Sequence, residues 1–126
     1  MAVKVLLVDD EQQFVEVLAE RLAARGFNVQ TALSGDEGLL KLQGQEVDVV
    51  ILDVQMPGRG GVETLRDIKR MKPSTEVIML TGHATIESGI QGLKLGAYDF
   101  VVKPTQTENL VAKILKAYER KSEQEG

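Results

Sequence analysis

The sequence predicts a single α/β domain in which a parallel β-sheet is covered by helices on both faces. Its 126 residues match the size of one domain. Five short apolar runs alternate with segments of helical periodicity, as in a chain of β-α-β units. Two of the runs, Val5 to Val8 and Val49 to Leu52, are apolar at every position. Such uninterrupted runs are typical of central strands that are buried on both faces.

Five segments have the length and residue types of β-strands, and polar or turn residues bound each of them. In chain order they are Val3 to Val8, Phe27 to Ala32, Val47 to Leu52, Val77 to Leu80 and Phe100 to Val102. The first helix lies between the first two strands, where Phe14, Leu18 and Leu22 recur every four residues and share one face. Gly26 follows them as a residue suited to the left-handed backbone that ends many helices.

Two more helices follow the second and third strands. Ser34 and Glu37 have the spacing of a capping box that opens the second helix. The apolar residues of this helix are Leu39, Leu40 and Leu42. In the third helix the apolar residues recur every three positions, at Val62, Leu65, Ile68 and Met71. Pro73 is expected to end it, because proline cannot continue a helix.

The last two helices differ in expected strength. The fourth carries Ile86, Ile90 and Leu93, but Gly89 and Gly92 each cost about 1 kcal/mol of helix propensity relative to alanine. The fifth opens at a second capping-box pattern, Thr105 to Glu108. Its inward residues are expected to be Leu110, Val111, Ile114, Leu115 and Tyr118. We assign residues 1–120 to the domain and expect the polar tail, 121–126, to fray.

Composition excludes several classes of function. The chain has no cysteine, so disulfides, thiolate nucleophiles and Cys-ligated metal sites are excluded. A net charge of −4 and an aromatic content of 4% argue against direct nucleic-acid binding. Every apolar run is far shorter than the ~20 residues of a membrane span. We therefore expect a cytoplasmic protein that binds neither membranes nor nucleic acid.

Polar residues follow four of the five predicted strands. They are Asp9-Asp10-Glu11, Asp53, Thr81 and Lys103-Pro104. In parallel α/β sheets, ligands bind at the carboxyl ends of the strands. Each of these signals alone is weak, since an acidic residue after a strand is commonly a helix cap or a solvated loop. Their combination at one sheet edge predicts a functional site.

The residue types at this edge suit phosphoryl transfer. Three neighbouring carboxylates repel one another by about 4 kcal/mol per pair at 4 Å and an effective dielectric constant of 20. Such a cluster favours a cation, and oxygen ligands without Cys or His favour a hard ion such as Mg²⁺. One Asp can then act as the nucleophile while the metal, Lys103 and Thr81 hold the phosphoryl oxygens.

Four ordered motifs resemble the receiver domain of bacterial two-component response regulators across nearly the whole chain. The motifs are Val8-Asp9-Asp10-Glu11, Leu52-Asp53-Val54-Gln55-Met56-Pro57-Gly58, Leu80-Thr81-Gly82-His83 and Gly96-Ala97-Tyr98-Asp99-Phe100-Val101-Val102-Lys103-Pro104. The resemblance implies a flavodoxin-like five-stranded parallel sheet of order 2-1-3-4-5, with helices on both faces. In that order the first and third strands are neighbours.

The resemblance also implies a role for each site residue. Asp53 would be the phosphoacceptor, with Thr81 and Lys103 bound to the phosphoryl group. Mg²⁺ would be held by Asp9, Asp10, Asp53 and the backbone carbonyl of Gln55. Phe100 would be the aromatic switch residue, and Gly82 would leave room for the phosphoryl group. Gln55 and His83 would tune hydrolysis; the alternative for His83 is a solvent-facing residue at the start of the fourth helix. The Lys103–Pro104 bond is expected to be cis. Thr105 departs from the family, which often has Phe after the Lys-Pro pair.

The implied function is signalling rather than conventional catalysis, although the domain would catalyse its own phosphorylation and slow dephosphorylation. The donor would be a sensor histidine kinase or a histidine phosphotransfer protein. Phosphorylation would change the face formed by the fourth helix, fifth strand and fifth helix. That face would bind an output domain or partner protein, or form a phosphorylation-dependent homodimer. We expect a stand-alone receiver, with an excised N-terminal domain as the alternative.

Two other functions compete with this one. A haloacid-dehalogenase-type Mg²⁺ phosphatase also uses Asp, Thr and Lys at strand ends, but its nucleophile lies in an Asp-x-Asp pattern after the first strand. Here Glu11 and Gln12 follow Asp10. A flavin or nucleotide carrier on the same fold needs a loop rich in Gly, Ser or Thr after the first strand, and the acidic residues there would repel a phosphate.

Overall fold

The predicted sheet is present in the computed structural model, which describes residues 2–55, 60–82 and 91–125. Its strands are β1 (Lys4–Val8), β2 (Asn28–Ala32), β3 (Val49–Asp53), β4 (Glu76–Thr81) and β5 (Asp99–Val102). All neighbouring pairs are parallel. The strand order is β2-β1-β3-β4-β5, which confirms the predicted 2-1-3-4-5 topology.

Helices connect the strands as the periodicity predicts. They are α1 (Gln12–Ala24), α2 (Gly35–Gly44), α3 (Gly61–Met71) and α5 (Thr107–Glu125). Residues 91–94 are also helical, and we name this part of the predicted fourth helix α4. The remainder of that helix, with Ile86, Gly89 and Ile90, lies outside the described residues. Among the described helices, none is both long enough and apolar enough to cross a membrane.

Two hydrophobic cores lie on opposite faces of the sheet. The α1–α5 core includes Val5, Leu7, Leu18, Ile51, Leu80, Leu110 and Ile114. The α2–α3 core includes Leu6, Val8, Leu42, Leu52, Leu65, Ile68 and Met79. Consecutive residues of β1 alternate between the two cores because successive strand side chains point to opposite faces. This alternation explains why β1 and β3 are apolar at nearly every position.

Local sequence signals set the ends of two helices. Gly26 has a φ of +92°, the left-handed conformation expected after α1. At the start of α2, the Glu37 N–H donates to Ser34 Oγ at 3.1 Å. The Glu37 carboxylate accepts from the Leu33 N–H at 2.7 Å, one residue earlier than in a standard capping box. Gly26 therefore ends α1, and Ser34 caps α2, at the positions that the sequence predicts.

The position of Leu115 and the start of α5 differ from the sequence interpretation. Leu115 was expected to point inward but is 45% exposed, and Leu40 of α2 is 67% exposed. The buried stripe of α5 runs through Leu110, Ile114, Ala117 and Lys121. Leu115 lies about 100° around the helix from its neighbour in this stripe. The α5 helix begins at Thr107 rather than directly after Thr105, and the Glu108 carboxylate pairs with Arg25.

The expectation that the chain frays after Arg120 is wrong, because α5 continues to Glu125. Lys121 is only 5% exposed, and its Nζ lies 3.2 Å from Asp48 Oδ1 and 2.8 Å from Glu125 Oε2. Burial alone would lower the pKa of Lys121, but the hydrogen bonds to Glu125 and Asp48 outweigh it and raise that pKa. These contacts order the end of the chain, while the domain boundary at residue 120 stays a prediction.

Candidate functional site

The candidate site lies at the carboxyl edge of the sheet, where the strands deliver their polar residues side by side. Val8 and Leu52 are register partners on β1 and β3, so Asp9 and Asp53 follow adjacent positions. Asp53 is the last residue of β3, and Thr81 is the last residue of β4. The Lys103 N–H donates to the Thr81 carbonyl at 2.7 Å just beyond β5. The topology alone therefore gathers residues that are far apart in sequence.

The three predicted carboxylates form one cluster. Asp9, Asp10 and Asp53 each offer a carboxylate oxygen, and these oxygens lie within 4.8 Å of one another. Asp9 and Asp53 are buried, whereas Asp10 is exposed. Packing negative charges this closely is unfavourable without a compensating positive charge. The cluster is therefore suited to bind a cation at its exposed side.

Backbone hydrogen bonds orient the two buried carboxylates in the same way. Asp9 Oδ1 accepts from the Glu11 N–H at 2.9 Å. Asp53 Oδ1 accepts from the Gln55 N–H at 3.0 Å. In each case a backbone N–H two residues later holds one oxygen, as in an Asx turn. The second oxygen of each carboxylate is thereby directed toward the centre of the site.

Lys103 supplies the positive charge at this centre. Its Nζ lies 2.6 Å from Asp9 Oδ2, 3.4 Å from Glu11 Oε1 and 4.0 Å from Asp53 Oδ2, and its side chain is 15% exposed. Burial would lower the pKa of Lys103, but the hydrogen bond to Asp9 and the nearby carboxylates raise it above its ordinary value. The ammonium therefore stays protonated beside the cluster at neutral pH.

The Asp53 carboxyl has a raised pKa. Burial is the largest cause, and the charges of Asp9 and Asp10 add to it. The Gln55 N–H and the Lys103 ammonium act in the opposite direction. The ionised form of Asp53 is thus less stable here than in water. A further positive charge at the cluster would favour the ionised form, which is the nucleophilic one.

The remaining predicted residues lie on β4 and β5 or just after these strands. Thr81 is buried at the end of β4, and Gly82 is exposed directly after it. Among the described residues, none has a heavy atom within 4 Å of a Cβ placed on Gly82. The side chain of Phe100 is half-buried and packs against the α2–α3 core. The Lys103–Pro104 bond is cis, as expected.

Not every position singled out in the sequence falls within the described residues. His83 and Gly58 lie outside the described residues. Gln55 is exposed beside Asp53, with its N–H in the hydrogen bond already given. Among the described residues, the structure therefore brings together the three aspartates, Gln55 and Lys103, with Thr81 at the end of the adjoining strand.

Three residues near the site were not among the predicted functional residues. The Phe14 ring centroid lies 4.4 Å from Lys103 Nζ. Glu11, which the sequence places after β1, adds a carboxylate at 3.4 Å from the same atom. A Cβ on Gly61 would lie 2.4 Å from Val54 Cα, so α3 approaches the end of β3 too closely for a side chain. Helical periodicity places Phe14 on an inward face but does not indicate Lys103 as its neighbour.

The donor set of the cluster fits Mg²⁺. It consists of carboxylate oxygens, and the chain contains no cysteine that would favour a softer metal. Mg²⁺ uses few protein ligands and keeps several waters, so two or three carboxylates at a partly open edge are sufficient. Asp9, Asp10 and Asp53 are the described residues whose geometry suits this role.

Comparison with known proteins identifies the family of this chain. The family model for the response regulator receiver domain matches residues 5–115. The chain is 35% identical over 115 residues to the transcriptional regulatory protein ZraR of Escherichia coli K12, a match that covers 91% of this chain and 26% of ZraR. The chain thus spans about a quarter of the length of that curated relative.

Solved receiver domains share the whole architecture. A CheY-like receiver domain protein from Methanospirillum hungatei is 28% identical, with a TM-score of 0.93 over 100% of both chains. A receiver domain protein from Clostridium thermocellum is 36% identical, with a TM-score of 0.91 over 95% of this chain and 97% of the other. The chain therefore belongs to the response regulator receiver domains, which are signalling domains of two-component systems rather than conventional enzymes.

Proposed function

We propose that Asp53 accepts a phosphoryl group from a phosphohistidine of a sensor histidine kinase or a histidine phosphotransfer protein. The observation that carries this proposal is the position of Asp53 Oδ2. It belongs to a buried carboxylate whose other oxygen is held by a backbone N–H, and it lies 4.0 Å from the Lys103 ammonium. A nucleophile with a fixed orientation beside a positive charge suits in-line phosphoryl transfer.

In the proposed reaction, Asp53 Oδ2 forms a bond to phosphorus while the bond from phosphorus to the donor imidazole nitrogen breaks. The other ring nitrogen of the phosphohistidine takes a proton from solvent before the transfer, so the imidazole leaves in its neutral form. The Lys103 ammonium and the Thr81 hydroxyl bind oxygens of the transferred group as its charge redistributes. When bound, Mg²⁺ supplies further positive charge that stabilises the same oxygens. The product is an aspartyl phosphate on Asp53.

The proposed Mg²⁺ ligands are Asp9, Asp10, Asp53 and the Gln55 carbonyl. The bound ion should stabilise the folded protein. We expect Mg²⁺ to raise the melting temperature, because it binds the folded cluster and offsets its repulsion. The gain is about 1.4 kcal/mol when free Mg²⁺ is at ten times its Kd. Thermal unfolding of wild type and Asp10→Asn, with and without Mg²⁺, measures this effect. Asp36→Asn, which alters an exposed carboxylate of α2, is the matched control; equal shifts in all three proteins would place the ion elsewhere.

Phosphorylation by a small donor is the direct test of the proposed function. Incubation with acetyl phosphate and Mg²⁺ should add one phosphoryl group per chain, because the site itself holds the groups that promote transfer. Intact-mass analysis measures the uptake, and peptide mapping locates it. We expect the label on Asp53, no uptake by Asp53→Asn and normal uptake by Asp36→Asn. Labelling of Asp53→Asn to the same extent as wild type would refute the assignment.

The proposal extends to the response that follows phosphorylation. We infer that Thr81 and Phe100 change position when Asp53 is modified and alter the face formed by α4, β5 and α5. That face would then bind an output domain, a partner protein or a second copy of the domain. Gln55 and His83 are the residues proposed to tune hydrolysis of the aspartyl phosphate. The domain boundary at residue 120 and a cytoplasmic location belong to the same set of predictions.

A further inference from the structure

We propose that Phe14 is a positioning residue that holds the Lys103 ammonium toward Asp53 through a cation–π contact. The inference rests on the proposed function, because it concerns how fast Asp53 is phosphorylated. Its basis is the 4.4 Å distance between the Phe14 ring centroid and Lys103 Nζ. This distance is well within the ~6 Å over which an ammonium is attracted to an aromatic face.

The Phe14 ring is half-buried. Phe14 lies in the first turn of α1 and packs against the α1–α5 core. Lys103 emerges from the end of β5, and its Nζ is surrounded by the ring, Asp9 and Glu11. A free lysine side chain can adopt many rotamers, and ordering it costs conformational entropy. The ring and the carboxylates together remove much of that freedom before any substrate binds.

Unlike the Asp9 carboxylate, the uncharged Phe14 ring can attract the Lys103 ammonium without also serving as a metal ligand. Asp9 is the shortest contact of Lys103, at 2.6 Å, but Asp9 is also a proposed Mg²⁺ ligand. If Asp9 held a cation as well, the attraction between Asp9 and Lys103 would weaken. The Phe14 ring has no oxygen to give to a metal, and its attraction for the ammonium leaves the positive charge intact. Phe14 therefore keeps Lys103 close to Asp53 in the state that reacts.

The first test changes the ring and measures the phosphorylation rate with acetyl phosphate at saturating Mg²⁺. Phe14→Leu keeps an apolar side chain but removes the aromatic face, and we expect it to slow labelling of Asp53 by about threefold to tenfold. Phe14→Tyr keeps the face and should restore most of the rate. In a Lys103→Met background, Phe14→Leu should cause no further slowing. An equal slowing in both backgrounds would mean that Phe14 acts through packing, which overturns the proposal.

Fluorinated phenylalanines at position 14 provide a test that leaves the packing nearly unchanged. Successive fluorination weakens and then reverses the negative potential of the ring face, so the rate should fall stepwise from phenylalanine to pentafluorophenylalanine. Pentafluorophenylalanine at Phe27 is the matched control. Phe27 is buried in the same core but precedes β2, at the opposite end of the parallel sheet from Lys103. Its modification should leave the rate unchanged.

The outcomes separate this inference from the proposed function. If wild type is labelled on Asp53 and the rate is independent of fluorination at position 14, only the role of Phe14 is refuted. If wild type takes up no phosphoryl group, the proposed function fails and the role of Phe14 fails with it. A stepwise loss of rate that vanishes in Lys103→Met supports both.

Discussion

Replacing Lys103 by Met is expected to slow phosphorylation of Asp53 by about a hundredfold. Removing one group that stabilises developing charge in a transition state commonly costs a factor of 10² to 10³. Lys103 Nζ lies 4.0 Å from Asp53 Oδ2, within reach of an oxygen on a group transferred to that atom. Methionine has a similar length but cannot donate a hydrogen bond or carry the charge. The rate of labelling by acetyl phosphate, followed by intact mass, measures the effect.

Lys103→Met should raise the affinity for Mg²⁺ although it lowers the rate of phosphorylation. In the structure Lys103 holds Asp9 Oδ2 at 2.6 Å, so the ammonium competes with a cation for that carboxylate. Lys103→Met should therefore bind Mg²⁺ more tightly while reacting more slowly. Lys113→Met is the control, because Lys113 pairs with Asp99 instead of with the acidic cluster. If Lys103→Met is labelled as fast as Lys113→Met, Lys103 has no part in the transfer.

Replacing Arg120 by Met is expected to lower the free energy of unfolding by about 2 kcal/mol. Glu76 is fully buried at the start of β4, and its carboxylate is paired with Arg120 and with Lys69. Arg120 Nη2 lies 3.1 Å from Glu76 Oε1. Breaking a fully buried ion pair costs about 3 to 5 kcal/mol. The expected value is smaller because Arg120 is 43% exposed and Lys69 still contacts the carboxylate.

Denaturant unfolding of a small set of variants tests this pair. Arg70→Met changes an exposed arginine of α3 and should have little effect. The double variant Glu76→Met with Arg120→Met should recover much of the lost stability, since it removes both charges together. Comparison of the single and double variants isolates the coupling between the two residues. Wild-type stability of Arg120→Met would show that Lys69 alone neutralises Glu76.

Local sequence patterns were sufficient to predict the strands of the sheet and most of the site residues. The apolar runs of β1 and β3 and the helical spacing of Phe14, Leu18 and Leu22 reflect burial that each element needs by itself. The strand order came from the resemblance to receiver domains. Once that order is known, Asp9 and Asp53 must meet, because parallel strands end at a common edge. The acidic cluster could therefore be predicted without coordinates.

The errors occurred where burial depends on elements distant in sequence. Ile114 and Leu115 were both expected inside, but the rotation of α5 against the sheet buries Ile114 and leaves Leu115 45% exposed. The polar segment after Arg120 was expected to fray. Lys121 is instead buried beside Asp48, a residue that precedes β3. The periodicity of α5 cannot predict that Lys121 pairs with Asp48, because the two residues are far apart in sequence.

What the sequence by itself determined was the identity and order of the secondary structure and the set of polar residues that follow the strands. These depend on patterns within a few residues, where the physics of burial and capping is local. Only the tertiary structure decided which atoms touch. The contact of Phe14 with Lys103, the choice of Asp9 as the closest partner of Lys103 and the pairing of Glu76 with Arg120 each join separate elements. Such contacts depend on how helices and strands pack, because helix rotation and side-chain rotamers are set by the whole core at once.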